Sequence, residues 1–187
     1  EVGADLRPGD GTEVVDLGGL VLAPGFIDPH THYDAQVLWD PDVTPSTWHG
    51  ITSVIMGNCG FGVAPCRPEG RDVIMRTLEN VEGMPLEALE AGIPWEFQTF
   101  PEYLDALDRR SFRANVSVMC GHTPVRFYVM GDEATERAAT DAELAEMRAL
   151  VVDAARAGAN GFSTTRLRNH VGAFGRPVPS RLATLDE

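Results

Sequence analysis

Short apolar strand candidates near 25–29, 51–58, 114–120 and 159–163, with helical segments between them, predict an α/β fold on a parallel sheet. A complete (β/α)8 barrel takes about 250 residues, whereas this chain has 187. The expected architecture is therefore α/β: the first half of a (β/α)8 TIM-like barrel, preceded by part of a small β-sandwich element. The expected division is 1–24 for the small β element and 25–187 for the half-barrel. A smaller doubly wound domain is the runner-up.

The elements follow in order. "TEVVDLGGLVLAPGFIDPHTH" carries apolar runs broken by Gly-Gly and Pro-Gly, which reads as two small strands, a turn at Pro24-Gly25, and a buried strand through Phe26 and Ile27. "GITSVIMGNCG" is a β-branched run ending in glycines, the pattern of a parallel strand buried on both faces. Helices are expected around 71–82 and in "TFPEYLDALDRR", where Thr99 and Glu102 stand at capping-box spacing with a proline in the first turn. "ANVSVMCGH" reads as a strand again. The clearest helix is "TDAELAEMRALVVDAARAGA", with Thr140 and Glu143 as a second capping box and Gly158 placed to stop it. "ANGFST" is the last strand, before an irregular stretch rich in Arg, Gly and Pro.

Composition narrows the chemistry. The 43% hydrophobic and 23% charged content is that of a folded globular protein, and a formal charge of -13 argues against a nucleic-acid partner. All 15 basic residues are arginines. A lysine Schiff base, a P-loop lysine and a modified lysine as metal ligand are thus excluded for these residues. Neither a signal-peptide pattern nor an apolar run near the roughly 18 to 20 residues needed to cross a membrane is visible. With the odd set Cys59, Cys66 and Cys120, the expected setting is reduced and cytoplasmic, away from membranes. The chain opens at Glu1 without methionine and stops at "RLATLDE", so a fragment is expected.

His30 and His32 form the first motif. Side chains at i and i+2 of a strand share a face, so both imidazoles can reach one ion at the C-terminal end of the first strand. A strand terminus with two polar loop residues is the plainer reading of the same pattern. Cys59, at the end of the next strand, comes to the same edge of a parallel sheet. Two imidazoles and a thiolate suit Zn²⁺, and Gly57, Gly60 and Gly62 would permit close approach. A buried, inert thiol is the alternative for Cys59.

"LVLAPGFIDPHTHYDAQVLWDP" resembles the first barrel strand of the amidohydrolase superfamily, whose HxH motif holds metal. "WHGITSVIMGNCGFGVAP" resembles one branch of it, the N-acyl-D-amino-acid deacylases, in which a cysteine replaces the carboxylated lysine of other members. Cys59 and the lack of lysine fit that substitution. "CGHTPVRFYVMG" and "GANGFSTTR" also look like segments of this branch, so the resemblance runs from about Val15 onward.

The resemblance implies a zinc-dependent hydrolase of carbon–nitrogen bonds in linear amides, acting on small-molecule N-acyl-D-amino acids, with His30, His32 and Cys59 as metal ligands. It also implies two more metal histidines and an aspartate base on later strands, beyond Glu187. No catalytic base is therefore assigned here, and the 187-residue chain alone is expected to be inactive. Another linear or cyclic amide as substrate, or a non-catalytic metal-binding fragment, are the alternatives.

The remaining candidates are weaker. His122, expected in a loop after the third strand, and Arg126 and Arg166, as carboxylate partners, are candidate substrate contacts. His170 and Arg176 could line a loop above the site. His49 is read as structural, Cys66 and Cys120 as ordinary thiols, and Asp28, Asp34 and Asp40 as loop caps or orienters of the histidines.

Overall fold

The structure, a computed structural model, describes Gly3, residues 5–185 and Glu187. Four strands form one parallel sheet: β1 (Phe26–Asp28), β2 (Ile51–Met56), β3 (Asn115–Gly121) and β4 (Gly161–Ser163), in the order β1-β2-β3-β4. Adjacent strands in sequence are adjacent in space; the β1–β2 crossover carries two short 3-10 turns and the next two crossovers carry α-helices, which is how a (β/α)8 barrel begins. The doubly wound alternative is set aside, because its sheet reverses strand order partway.

Among the described residues five α-helices pack with this sheet: α1 (Arg71–Glu82), α2 (Leu86–Gly92), α3 (Phe100–Asp108), α4 (His122–Met130) and α5 (Asp141–Ala157). Both predicted capping boxes form, Thr99 with Glu102 and Thr140 with Glu143, and Gly158 ends α5 in the left-handed conformation. The main core joins Met56, Val118 and Cys120 of the sheet to Ile74, Leu78, Leu89, Tyr103, Val125, Met147 and Ala154 of the helices. Burial of each such large side chain contributes about 1.5–3 kcal/mol.

Three expectations need correction. Residues 13–22 form no strand, and β1, expected to be buried through Phe26 and Ile27, leaves them 70% and 66% exposed; the described residues before it are exposed too, with Val21 at 91%. Strands need a hydrogen-bonding partner, and residues 13–22 have none among the described residues. Glu1, Val2 and Ala4, at the start of the predicted 1–24 element, lie outside those residues, as does Asp186. Second, β2 is buried on one face only, by Val54 and Met56, while Ser53 and Ile55 are half-buried. Third, His122 does not sit in a loop. It opens α4, with Gly121 as N-cap and Pro124 in the first turn, where a missing N–H is tolerated.

Candidate metal centre

Beyond β1 the chain continues along β2. The Thr31 N–H and hydroxyl both donate to the Ile55 carbonyl, at 3.0 and 2.8 Å, which fixes Thr31 inward and sets His30 and His32 on either side of it. Asp28 accepts from the His30 N–H at 3.2 Å, a local cap.

The second wall is the turn after β2. Gly57, with φ of 79°, is forced by space as well as by conformation, since a Cβ there would lie 2.1 Å from the Met119 carbonyl oxygen of β3. Cys59 also adopts a left-handed φ, 55°, which costs a side-chain-bearing residue about 1–2 kcal/mol.

The surroundings hold that conformation. The Asn58 amide donates to Ile55 O at 2.9 Å and Thr31 O at 3.2 Å, and the Gly57 N–H donates to buried Asp34 at 3.1 Å. From β4, the Ser163 hydroxyl accepts from the Gly60 N–H at 2.9 Å and donates to the Gly57 carbonyl.

These constraints bring one ligand atom each of His30, His32 and Cys59 within 4.8 Å of one another. Cys59 Sγ is 3.3 Å from His30 Nε2, and the two imidazole centroids are 5.3 Å apart. Burial first, then His30 and His170, push the His32 pKa down to about 4, so its imidazole is neutral, the form that binds metal. Burial and then Glu82 raise the Cys59 thiol above its ordinary value. Ionising it there calls for a nearby cation, which a divalent metal supplies.

His32 Nδ1 is buried without a hydrogen-bond partner, although Glu82 Oε1 lies 3.1 Å away; the contact is close but misaligned. Burial and then Asp34 push Glu82 up to about 7, so the pair is not a formal ion pair. An orphaned imidazole nitrogen and an N, N, S donor set fit zinc.

The other candidates are placed as follows. His122 is buried, with Nδ1 2.9 Å from Thr164 Oγ1 and Nε2 2.9 Å from Glu187. Arg126 is 0% exposed and contacts the same carboxylate while donating to Arg137 O at 2.9 Å. Arg166 is exposed. His170 reaches the rim of the metal cluster: it packs on Phe61 and contacts Thr165 Oγ1 at 2.9 Å. Arg176 stands 3.5 Å from Glu136 in a surface pair, and His49 is exposed at the end of a short 3-10 helix. Burial pushes the Cys66 and Cys120 thiols up to about 12, which makes them inert packing groups. Asp40 caps its own loop through Thr44 and Asp42.

Sequence reasoning missed Glu82, Asn58 and Ser163. For Glu82 there was a signal: a carboxylate in the last turn of a helix opposes the helix dipole and needs another reason to be there.

A model of the amidohydrolase family matches residues 13–183. The chain is 43% identical over 160 residues to N-acyl-D-aspartate deacylase of Alcaligenes xylosoxydans xylosoxydans, covering 86% of this chain and 30% of that one. It is 42% identical over 173 residues to D-aminoacylase of the same organism, covering 92% of this chain and 31% of that one. The crystal structure of D-aminoacylase superposes with a TM-score of 0.65 at 34% identity, over 87% of this chain and 30% of that one. N-acyl-D-glutamate deacylase of Bordetella bronchiseptica, complexed with zinc and a phosphonate inhibitor, gives 0.61 at 34% identity, over 81% and 28%. The chain thus spans less than a third of the length of these relatives.

Proposed function

Because the chain belongs to the amidohydrolase family, we propose that it forms the first metal-binding wall of a zinc-dependent hydrolase of N-acyl-D-amino acids. The convergence of His30, His32 and Cys59 within 4.8 Å carries this reading. The relatives act on N-acyl-D-amino acids by name, and one of their structures holds zinc. Residues 25–187 would be the first half of the barrel, with 1–24 outside it. No described helix is long and apolar enough to cross a membrane, and the three free thiols suit a cytoplasmic protein.

In this reading His30 and His32 bind through neutral imidazole nitrogens and Cys59 through its thiolate. A bound zinc ion supplies Lewis acidity, lowering the pKa of water from about 15.7 towards 7 and polarising the amide carbonyl. The chain's own groups place that chemistry: Thr31 fixes the histidines, the Gly57–Gly60 turn aims the sulfur, and the Glu82 carboxyl stands 3.1 Å from His32 Nδ1 without a hydrogen bond to it. Water would add to the acyl carbon while a base expected beyond Glu187 takes its proton; the C–N bond would then break as the same group returns that proton to the leaving nitrogen, giving a carboxylate and the free amine.

The test uses the protein at its full natural length, with N-acetyl-D-methionine, N-acetyl-D-aspartate and N-acetyl-D-glutamate as substrates. Hydrolysis that is lost together with zinc in Cys59→Ala supports the proposal. Turnover and zinc content both unchanged in that variant overturn it. The 187-residue chain alone is expected to bind zinc weakly and turn over none of the three.

A further inference from the structure

Ser163 lies far from the metal-binding motifs in sequence, 106 residues from Gly57 and 103 from Gly60, yet its hydroxyl touches both of those glycines. It accepts the Gly60 N–H at 2.9 Å and donates to the Gly57 carbonyl, so one side chain clamps the two backbone groups that flank Asn58 and Cys59. The clamp matters because Cys59 holds a left-handed φ of 55° that a residue with a side chain leaves readily. Asn58 ties the turn to Thr31 after β1 and to Ile55 of β2, and Ser163 ties it to β4. Beside that clamp Gly60 lies close to Thr164, just past β4, where a Cβ would meet the backbone at 3.0 Å.

We propose that Ser163 is a positioning residue for Cys59, its hydroxyl fixing the turn that aims the sulfur at the metal and thereby setting metal affinity. This rests on the metal-centre reading above. The hydroxyl serves as donor and acceptor at once, which neither alanine nor valine can reproduce and threonine can. Cys59 itself remains the ligand; Ser163 acts through it.

The experiment uses the full-length protein loaded with Co²⁺, read by its thiolate-to-cobalt charge-transfer absorption, with zinc affinity taken from chelator competition. Ser163→Ala is expected to weaken zinc binding by roughly 10- to 100-fold, the usual effect of removing a group that orients a ligand, and to diminish or shift the charge-transfer band. Ser163→Thr is expected to restore both. Thr99→Ala, which removes the cap of α3 (Thr99 accepts from Glu102 N–H at 3.3 Å), is expected to lower thermal stability while leaving band and affinity alone. Should Ser163→Ala not fold, the isosteric pair Ser163→Thr and Ser163→Val makes the same comparison with β-formers suited to a strand.

A wild-type protein without any thiolate-to-cobalt band overturns the metal-centre reading and this inference with it. A wild-type band that Ser163→Ala or Ser163→Val retains, with zinc affinity unchanged, overturns the role of Ser163 alone.

Discussion

Two polar clusters occupy the C-terminal ends of the strands, and they differ in what their side chains are bound to. At β1 and β2, His30, His32 and Cys59 point at one another, and His32 Nδ1 is buried with no hydrogen-bond partner. At β3 and β4, His122 uses both ring nitrogens, on Thr164 and Glu187, and the Arg126 guanidinium closes on the same carboxylate. Among the described residues, Arg126 Nε, Glu187 Oε2 and the nearby Thr123 hydroxyl are left without a partner there. Like residue types therefore do different work. At the first cluster three donors converge with no cation among them, whereas at the second a cation, a carboxylate and an imidazole are bound to one another.

The sharpest break of that comparison is Arg126→Met. It leaves the Glu187 carboxylate buried beside His122 without its cation, and losing one member of a buried pair costs about 3–5 kcal/mol. Denaturant unfolding should register that loss while zinc affinity of the folded protein stays unchanged; zinc affinity falling in step would mean the clusters are one unit. Cys59→Ala is the converse. Zinc affinity should fall by more than the roughly 10- to 100-fold of an outer-shell change, and metal-free stability should move by no more than about 0.5 kcal/mol, since Cys59 is only half-buried.

Acid perturbs the His32 cluster more gently. The His32 pKa is pushed from 6.5 down to about 4 in the folded, metal-free protein. Between those values the unfolded chain binds the extra proton, so this group's contribution to stability is intact above pH 6.5 and declines as pH falls towards 4. NMR titration of the His32 ring should therefore show a neutral imidazole at pH 5.5, and a midpoint near 6.5 would contradict the burial argument. The smallest effect is Thr140→Ala at the α5 cap, about 1 kcal/mol of stability with neither cluster disturbed.

Much of this was legible in the sequence, because much of it is local. β2 and β3 announce themselves by runs with β-branched residues, α3 and α5 by capping boxes, and the convergence of ligand atoms by His30, His32 and a glycine-flanked Cys59. What escaped depends on contacts between distant residues. Ser163 is an unremarked serine in a short strand until β4 is laid beside β3, and Glu82 is one carboxylate among many until α1 folds back over His32. Arg126 reads as a candidate carboxylate binder, and it does hold a carboxylate, that of Glu187 within the same chain. The apolar runs before Pro24 have the pattern of strands but form none among the described residues, because pattern supplies no hydrogen-bonding partner.

Zinc-edge X-ray absorption of the zinc-loaded full-length protein tests the central claim most directly. The account predicts a sulfur scatterer at about 2.3 Å together with nitrogen or oxygen ligands at about 2.0–2.1 Å, and loss of the sulfur shell in Cys59→Ala. A first shell of nitrogen and oxygen alone, identical in the wild type and in Cys59→Ala, would contradict it.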